Sequence, residues 1–134
     1  MPYLLIADDD QDDLDIFTEA FVRQNPDYNV AHATGGKAAL KFLNDAEELP
    51  TIVVLDYQMP DLTGPEVLKE LSIDARYKHL VKVMWSTSRR TKDMEDCKKL
   101  GASYYLVKPG DNKELEHMIH QMTAILDFAK GDRH

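Results

Sequence analysis

Two adjacent aspartates, Asp8 and Asp9, follow the apolar run Tyr3 to Ala7. Asp56 follows the run Thr51 to Leu55, Ser86 follows Val81 to Trp85, and Lys108 follows Ser103 to Val107. If these runs lie side by side as strands, three carboxylates, a hydroxyl and an ammonium meet on one rim. Crowded carboxylates repel, and each gains proton affinity unless a cation sits among them. A set of hard oxygens without thiolate or imidazole selects magnesium, with manganese as the alternative, over zinc. The Lys108 ammonium and the Ser86 hydroxyl are the groups needed to hold an anionic phosphoryl while its charge redistributes during transfer.

The elements that must position these residues are legible as alternating patterns. The apolar runs Tyr3 to Ala7, Tyr28 to Ala33, Thr51 to Leu55, Val81 to Trp85 and Ser103 to Val107 have strand length. Between and after them lie helical spacings: Leu14, Phe17 and Phe21; Ala39, Phe42 and Leu43; Val67, Leu68 and Leu71; and a weaker helix from Thr91 to Leu100 with Met94 and Cys97 inward. Asp111 and Glu114 have capping-box-like spacing, so the last helix starts near Lys113 and buries Leu115, Met118, Ile119, Met122, Ile125 and Leu126. Fivefold strand–helix alternation without repeats or a Pro-rich linker predicts an α/β fold, a parallel sheet covered by helices on both faces. In that architecture ligands bind beyond the carboxyl ends of the strands, where strand order reverses.

At 134 residues the chain has room for one domain, 1–134, with a core over about 3–129 and a short polar C-terminal tail. A formal net charge of -8 repels a phosphate backbone, so no nucleic acid partner is expected. The single cysteine, Cys97, leaves no internal disulfide and suits a cytoplasmic location. The N-terminus has neither a basic leader nor an apolar stretch of membrane-spanning length, and no membrane association is expected.

The string Leu5-Ile6-Ala7-Asp8-Asp9-Asp10 resembles the opening of response-regulator receiver domains of the single-domain, chemotaxis-regulator-like kind. Leu55-Asp56-Tyr57-Gln58-Met59-Pro60-Asp61-Leu62-Thr63-Gly64 is similar to their phosphoacceptor strand and loop. Met84-Trp85-Ser86-Thr87-Ser88 resembles their switch strand, and Gly101 to Pro109 their last strand and lysine-proline turn. The likeness runs from Tyr3 to about Ala129. It implies a flavodoxin-like, doubly wound five-stranded sheet in the order 2-1-3-4-5 with five helices. It further implies that Asp56 is the phosphoacceptor, that Asp9 binds magnesium directly and Asp8 largely through water, and that the Gln58 backbone carbonyl is a further ligand. Lys108 and Ser86 would contact the phosphoryl oxygens, and Tyr105 would be the aromatic whose rotamer follows the Ser86 hydroxyl. Ser86 stands where threonine is more usual but keeps the hydroxyl. The Lys108–Pro109 bond is often cis in this family.

The expected partners are a histidine kinase or histidine phosphotransfer protein and a downstream protein target, with the chain monomeric or dimerising on phosphorylation. No output domain is expected after the last helix. The chain would catalyse its own phosphorylation and dephosphorylation rather than turn over an external substrate. The alternative chemistry is a magnesium-dependent, haloacid-dehalogenase-like phosphohydrolase using Asp8 as nucleophile and Asp10 as acid. It leaves Asp56 unexplained. Asp10, Asp12, Asp13 and Asp15 are otherwise accounted for as acids favoured at a helix start by its dipole. The lone Glu114-x-x-His117 lacks the second motif that a carboxylate-bridged metal pair needs.

Overall fold

The computed structural model describes residues 2–131. Five short runs pair in parallel as β1 (Tyr3–Ala7), β2 (Asn29–Ala33), β3 (Ile52–Asp56), β4 (Val81–Ser86) and β5 (Tyr104–Val107), in the order β2-β1-β3-β4-β5. The intervening helices are α1 (Gln11–Gln24), α2 (Gly36–Asp45), α3 (Gly64–Ser72), α4 (Thr91–Lys99) and α5 (Asn112–Gly131). This is the flavodoxin-like order implied by the resemblance. β1 and β3 are buried between helical layers, so they read as continuous apolar runs rather than alternating ones.

Alternation along each strand sends side chains to two cores. Leu4, Ile6, Ile52, Val54, Val83, Trp85 and Leu106 pack with Phe17, Phe21, Met118, Ile119 and Met122 from α1 and α5. Leu5, Ala7, Val53, Leu55 and Met84 pack with residues of the other three helices, among them Ala39, Leu43, Leu68, Leu71 and Cys97. The sheet is thus anchored on both faces, and only its rim is left for chemistry.

Strand limits differ from the sequence reading by a residue or so, for a consistent reason. Asp56 pairs with Trp85 and Ser86 with Val107, so both polar residues close their strands rather than follow them. Tyr28 lies just outside β2, buried with its ring edge-on to Phe21. Helix α5 begins at Asn112, one residue early. Asp111 accepts from the Glu114 backbone at 2.8 Å, while the Glu114 carboxylate reaches back to the Gly110 N–H at 2.7 Å, a reciprocal cap displaced by one residue. A 3-10 turn at Ala75–Tyr77, held by the Asp74 side chain, was not anticipated. All peptide bonds among the described residues are trans, Lys108–Pro109 included. The polar tail expected after residue 129 lies partly outside the described residues.

Candidate functional site

The carboxyl ends of β1, β3 and β4 and the residue after β5 converge where strand order reverses between β1 and β3. One oxygen from each of Asp8, Asp9 and Asp56 lies within 4.8 Å of the others. Asp8 is fully buried. Its Oδ1 accepts from the Asp10 N–H at 2.9 Å and its Oδ2 from Lys108 Nζ at 2.9 Å. Asp9 is exposed and has no hydrogen-bond or ion-pair partner among the described residues, so its oxygens face solvent unengaged. Asp56 is buried, with Oδ1 3.1 Å from Lys108 Nζ and 3.4 Å from the Gln58 backbone nitrogen.

Electrostatics follow from this crowding. Burial, against the opposing pull of Lys108 and with the added repulsion of Asp8, leaves the Asp56 carboxyl pushed up to about 7. Burial also works against the Lys108 ammonium, but its hydrogen bond to Asp8, the charge of Asp56 and its hydrogen bond to Asp13 outweigh that and raise its pKa above the ordinary lysine value. A carboxylate trio with a single lysine counter-charge fits a hard divalent cation: the donors are all oxygens, two are shielded, and the third is open to water.

The loop after β3 is held close to the acids. A side chain at Gly64 would run into the Asp56 carbonyl and the Met84 methyl, so only glycine allows α3 to start there. Thr63 and Glu66 then form a capping box, with Pro65 in the first turn where its missing N–H is no loss. Asp61 reaches away from the site and accepts from the backbone N–H groups of Gly36 (3.1 Å) and Lys37 (3.2 Å) at the start of α2. Gly36 has no room for a side chain against Leu62.

On the other side of Asp56, the Ser86 hydroxyl accepts from the Ser88 N–H at 3.0 Å, which leaves its own hydrogen available. Ser88 in turn donates its hydroxyl to Asp93 of α4 at 2.6 Å and accepts at its carbonyl from the Tyr105 hydroxyl at 3.0 Å. Tyr105 is half-buried against the second core, while Tyr104 faces outward.

Of the expected site residues, Asp8, Asp9, Asp56 and Lys108 meet at this rim, Gln58 follows Asp56 with its backbone nitrogen 3.4 Å from the carboxylate, Ser86 ends the neighbouring β4, and Tyr105 is joined to Ser86 through Ser88. Three others were not anticipated. Ser88 links Ser86 to Tyr105. Asp61 straps the loop. Asp13, read from sequence as a helix-dipole acid, has Oδ2 3.1 Å from Lys108 Nζ. Asp10 is spent as the N-cap of α1, accepting from the Asp12 and Asp13 N–H groups, so it is not poised as the acid of a phosphohydrolase. Burial, then Asp93 and Asp96, pushes the Cys97 thiol up to about 11, as befits an inert packed residue.

Residues 4–120 match the family described as "Response regulator receiver domain". The response regulator Rre1 of Synechocystis sp. (strain ATCC 27184 / PCC 6803 / Kazusa) is 29% identical over 123 residues, covering 92% of this chain and 52% of Rre1. The two-component response regulator ORR12 of Oryza sativa subsp. japonica is 32% identical over 108 residues, covering 81% of this chain and 87% of ORR12. The chain thus spans about half the length of Rre1 and most of ORR12. The Mn(2+)-bound form of response regulator Rcp1 superposes with a TM-score of 0.81 at 24% identity, covering 91% of each chain, a likeness of fold. With the strand order, the acid rim and these matches in agreement, the chain belongs to the response regulator receiver domain family and is a receiver of two-component signal transduction.

Proposed function

We propose that this receiver accepts a phosphoryl group on Asp56, from a histidine kinase or a histidine phosphotransfer protein, in a magnesium-dependent reaction. The observation that carries the proposal is the meeting of Asp56 with Asp8, Asp9 and Lys108: a buried carboxylate with a cation 3.1 Å away and two further acids around it. A divalent ion there supplies positive charge that offsets the acids and the incoming anion. Manganese suits the same oxygens, in keeping with the Mn(2+)-bound form of Rcp1.

Asp9, exposed and unengaged, is suited to direct ligation. Asp8, with both oxygens already accepting, is suited to contact through water, and the Gln58 carbonyl to a further ligand position. Asp56 attacks phosphorus, the donor's phosphoryl bond breaks, and Lys108 and Ser86 donate to the phosphoryl oxygens. The same groups serve the slow hydrolytic loss of that phosphoryl, so the chain acts on itself and not on an external substrate.

Output follows from the hydroxyl. Ser86 turning toward the phosphoryl disturbs its bond from the Ser88 N–H, and Ser88 carries the change to Tyr105 and to Asp93 on α4. A downstream protein would read the face of α4, β5 and α5, where a groove of about 640 Å³ runs from Arg89 past Tyr105 to His117. The chain acts as one receiver domain, monomeric or dimerising on phosphorylation, in the cytoplasm; no helix among the described residues is long and apolar enough to cross a membrane. Mass analysis after exposure to acetyl phosphate and magnesium tests the proposal. One phosphoryl on Asp56, absent with chelator and absent in Asp56→Asn, is the expected result, and equal labelling of that variant would refute it.

A further inference from the structure

Lys108 has more partners than its expected role requires. Its ammonium donates to Asp8 at 2.9 Å and to Asp13 at 3.1 Å and lies 3.1 Å from Asp56, while its nitrogen sits 4.7 Å from the centre of the Trp85 ring. An ammonium has three N–H donors; Asp8 and Asp13 accept two of them, and Asp56 stands within ion-pair distance of the same nitrogen. Two of the three, Asp8 and Asp56, also belong to the acid trio suited to a cation; Asp13 does not. The Asp13 side chain is 36% exposed against 1% for Asp8 and 7% for Asp56, so it stands at the edge of the site rather than inside the acid trio.

Trp85 supplies a second, independent restraint. Its ring is buried, packs edge-on against Phe17 at 5.4 Å, and its Nε1 has no hydrogen-bond partner among the described residues. The indole is therefore fixed by packing alone, with a face turned to the ammonium, an arrangement that attracts a cation electrostatically. Helix α1 fixes Asp13 in turn: Asp13 lies in its first turn, behind the Asp10 cap.

We propose that Asp13 and the Trp85 ring form a seat for Lys108 that is separate from the metal-binding acids. Asp13 is thereby a positioning residue, which keeps the ammonium over the ring when a divalent ion draws Asp8 and Asp56 away. From this seat Lys108 exchanges Asp56 for a phosphoryl oxygen by turning about its bond to Asp13, without leaving the rim. The inference rests on the phosphoacceptor reading of Asp56 for its purpose, but the seat itself is a property of the unphosphorylated protein.

The test compares Asp13→Ala, Asp13→Glu and Asp12→Ala. Asp12 shares the first turn of α1 and its dipole, but is exposed and makes no contact with Lys108, so its variant controls for helix stability. The ε-methylene protons of Lys108, held over an indole, are expected to show an upfield NMR shift. With magnesium and no phosphodonor, that shift is expected to persist in the parent and in Asp12→Ala and to be lost in Asp13→Ala. With acetyl phosphate added, Asp13→Ala should be labelled roughly tenfold more slowly, as for one lost charge-assisted hydrogen bond, with Asp13→Glu recovering part of the rate. A persistent upfield shift in Asp13→Ala, or equal slowing by Asp12→Ala, would overturn the seat. Failure of the parent itself to be labelled would overturn the phosphoacceptor reading instead, and the magnesium-only spectra would still judge Asp13.

Discussion

Lys82 enters the sheet near the amino end of β4, and Lys108 leaves it beyond the carboxyl end of β5. Both ammoniums are shielded, yet their surroundings differ in kind. Lys82 donates to the backbone carbonyls of Tyr77 and Leu80, at 2.9 and 3.0 Å, and has no carboxylate partner among the described residues. Burial alone lowers its pKa. Lys108 is ringed by carboxylates, and its pKa is raised despite burial. The first lysine latches the 3-10 turn to the sheet with fixed dipoles and has one arrangement. The second is a charge held among three carboxylates, two of which also belong to the acid trio. The same residue type thus serves as a structural pin at one end of the sheet and as the counter-charge of an acid cluster at the other, and the difference lies in whether its partners are carbonyl dipoles or carboxylates.

Substitution of each lysine should separate these roles most clearly. Lys108→Ala is expected to slow labelling of Asp56 by acetyl phosphate by about 10²–10³, as for removal of one donor to a developing anion. Lys82→Met should be labelled at the parental rate; a comparable slowing there would erase the contrast.

The next effect concerns stability against pH. Asp56, pushed up to about 7 when folded, has an unfolded value of about 3.9. Between these values the folded protein holds a proton that the unfolded chain has released. Stability contributed by this group is therefore greatest at the acid end and falls as pH rises through that window. Asp56→Asn should remove this slope and gain about 1–3 kcal/mol above neutrality, read by urea unfolding with a chelator present. A steeper decline in the variant would show that the acid rim is not the strained end.

Lys82→Met, by contrast, should lose about 1–2 kcal/mol with little pH dependence between 4 and 7, because neutral carbonyls lose their donor. Calorimetry of the variant checks this, and a gain in stability would mean that desolvation of Lys82 outweighs its latch. The smallest effect is expected from Tyr105→Phe. It removes one half-buried hydroxyl from the Ser88 carbonyl and should cost about 0.5–1.5 kcal/mol, with amide shift changes centred on Ser88 and Asp93. Changes confined to β5 would break the proposed link.

The contrast also explains what the sequence could reveal. Strands buried on both faces read directly as apolar runs, and the acids, hydroxyl and lysine that end them are conspicuous because they interrupt those runs. Backbone pairing does not stop where hydrophobicity does, which is why Asp56 and Ser86 belong to their strands. The turn at Ala75–Tyr77 is too short to carry a period. Lys82 lies inside an apolar run and gives no hint that its partners are carbonyls. Asp13 was illegible for another reason: its partner lies 95 residues away, and an acid in a helix's first turn already has an adequate local explanation. Ser88 likewise resembles any loop serine until its two neighbours are placed.

The Asp61 strap bears on how this site could be rebuilt. Asp61 joins the segment after β3 to the first turn of α2 across 25 residues of sequence, and the fit depends on Gly36 lacking a side chain. The two loops therefore form one transplantable unit. A chimaera that imports residues 57–64 from a relative without the matching 34–37 turn would carry an aspartate with nothing to cap, or a helix start with nothing to cap it, in the loop that leads from Asp56. Evolution or a designer seeking to retune this rim must exchange both loops together.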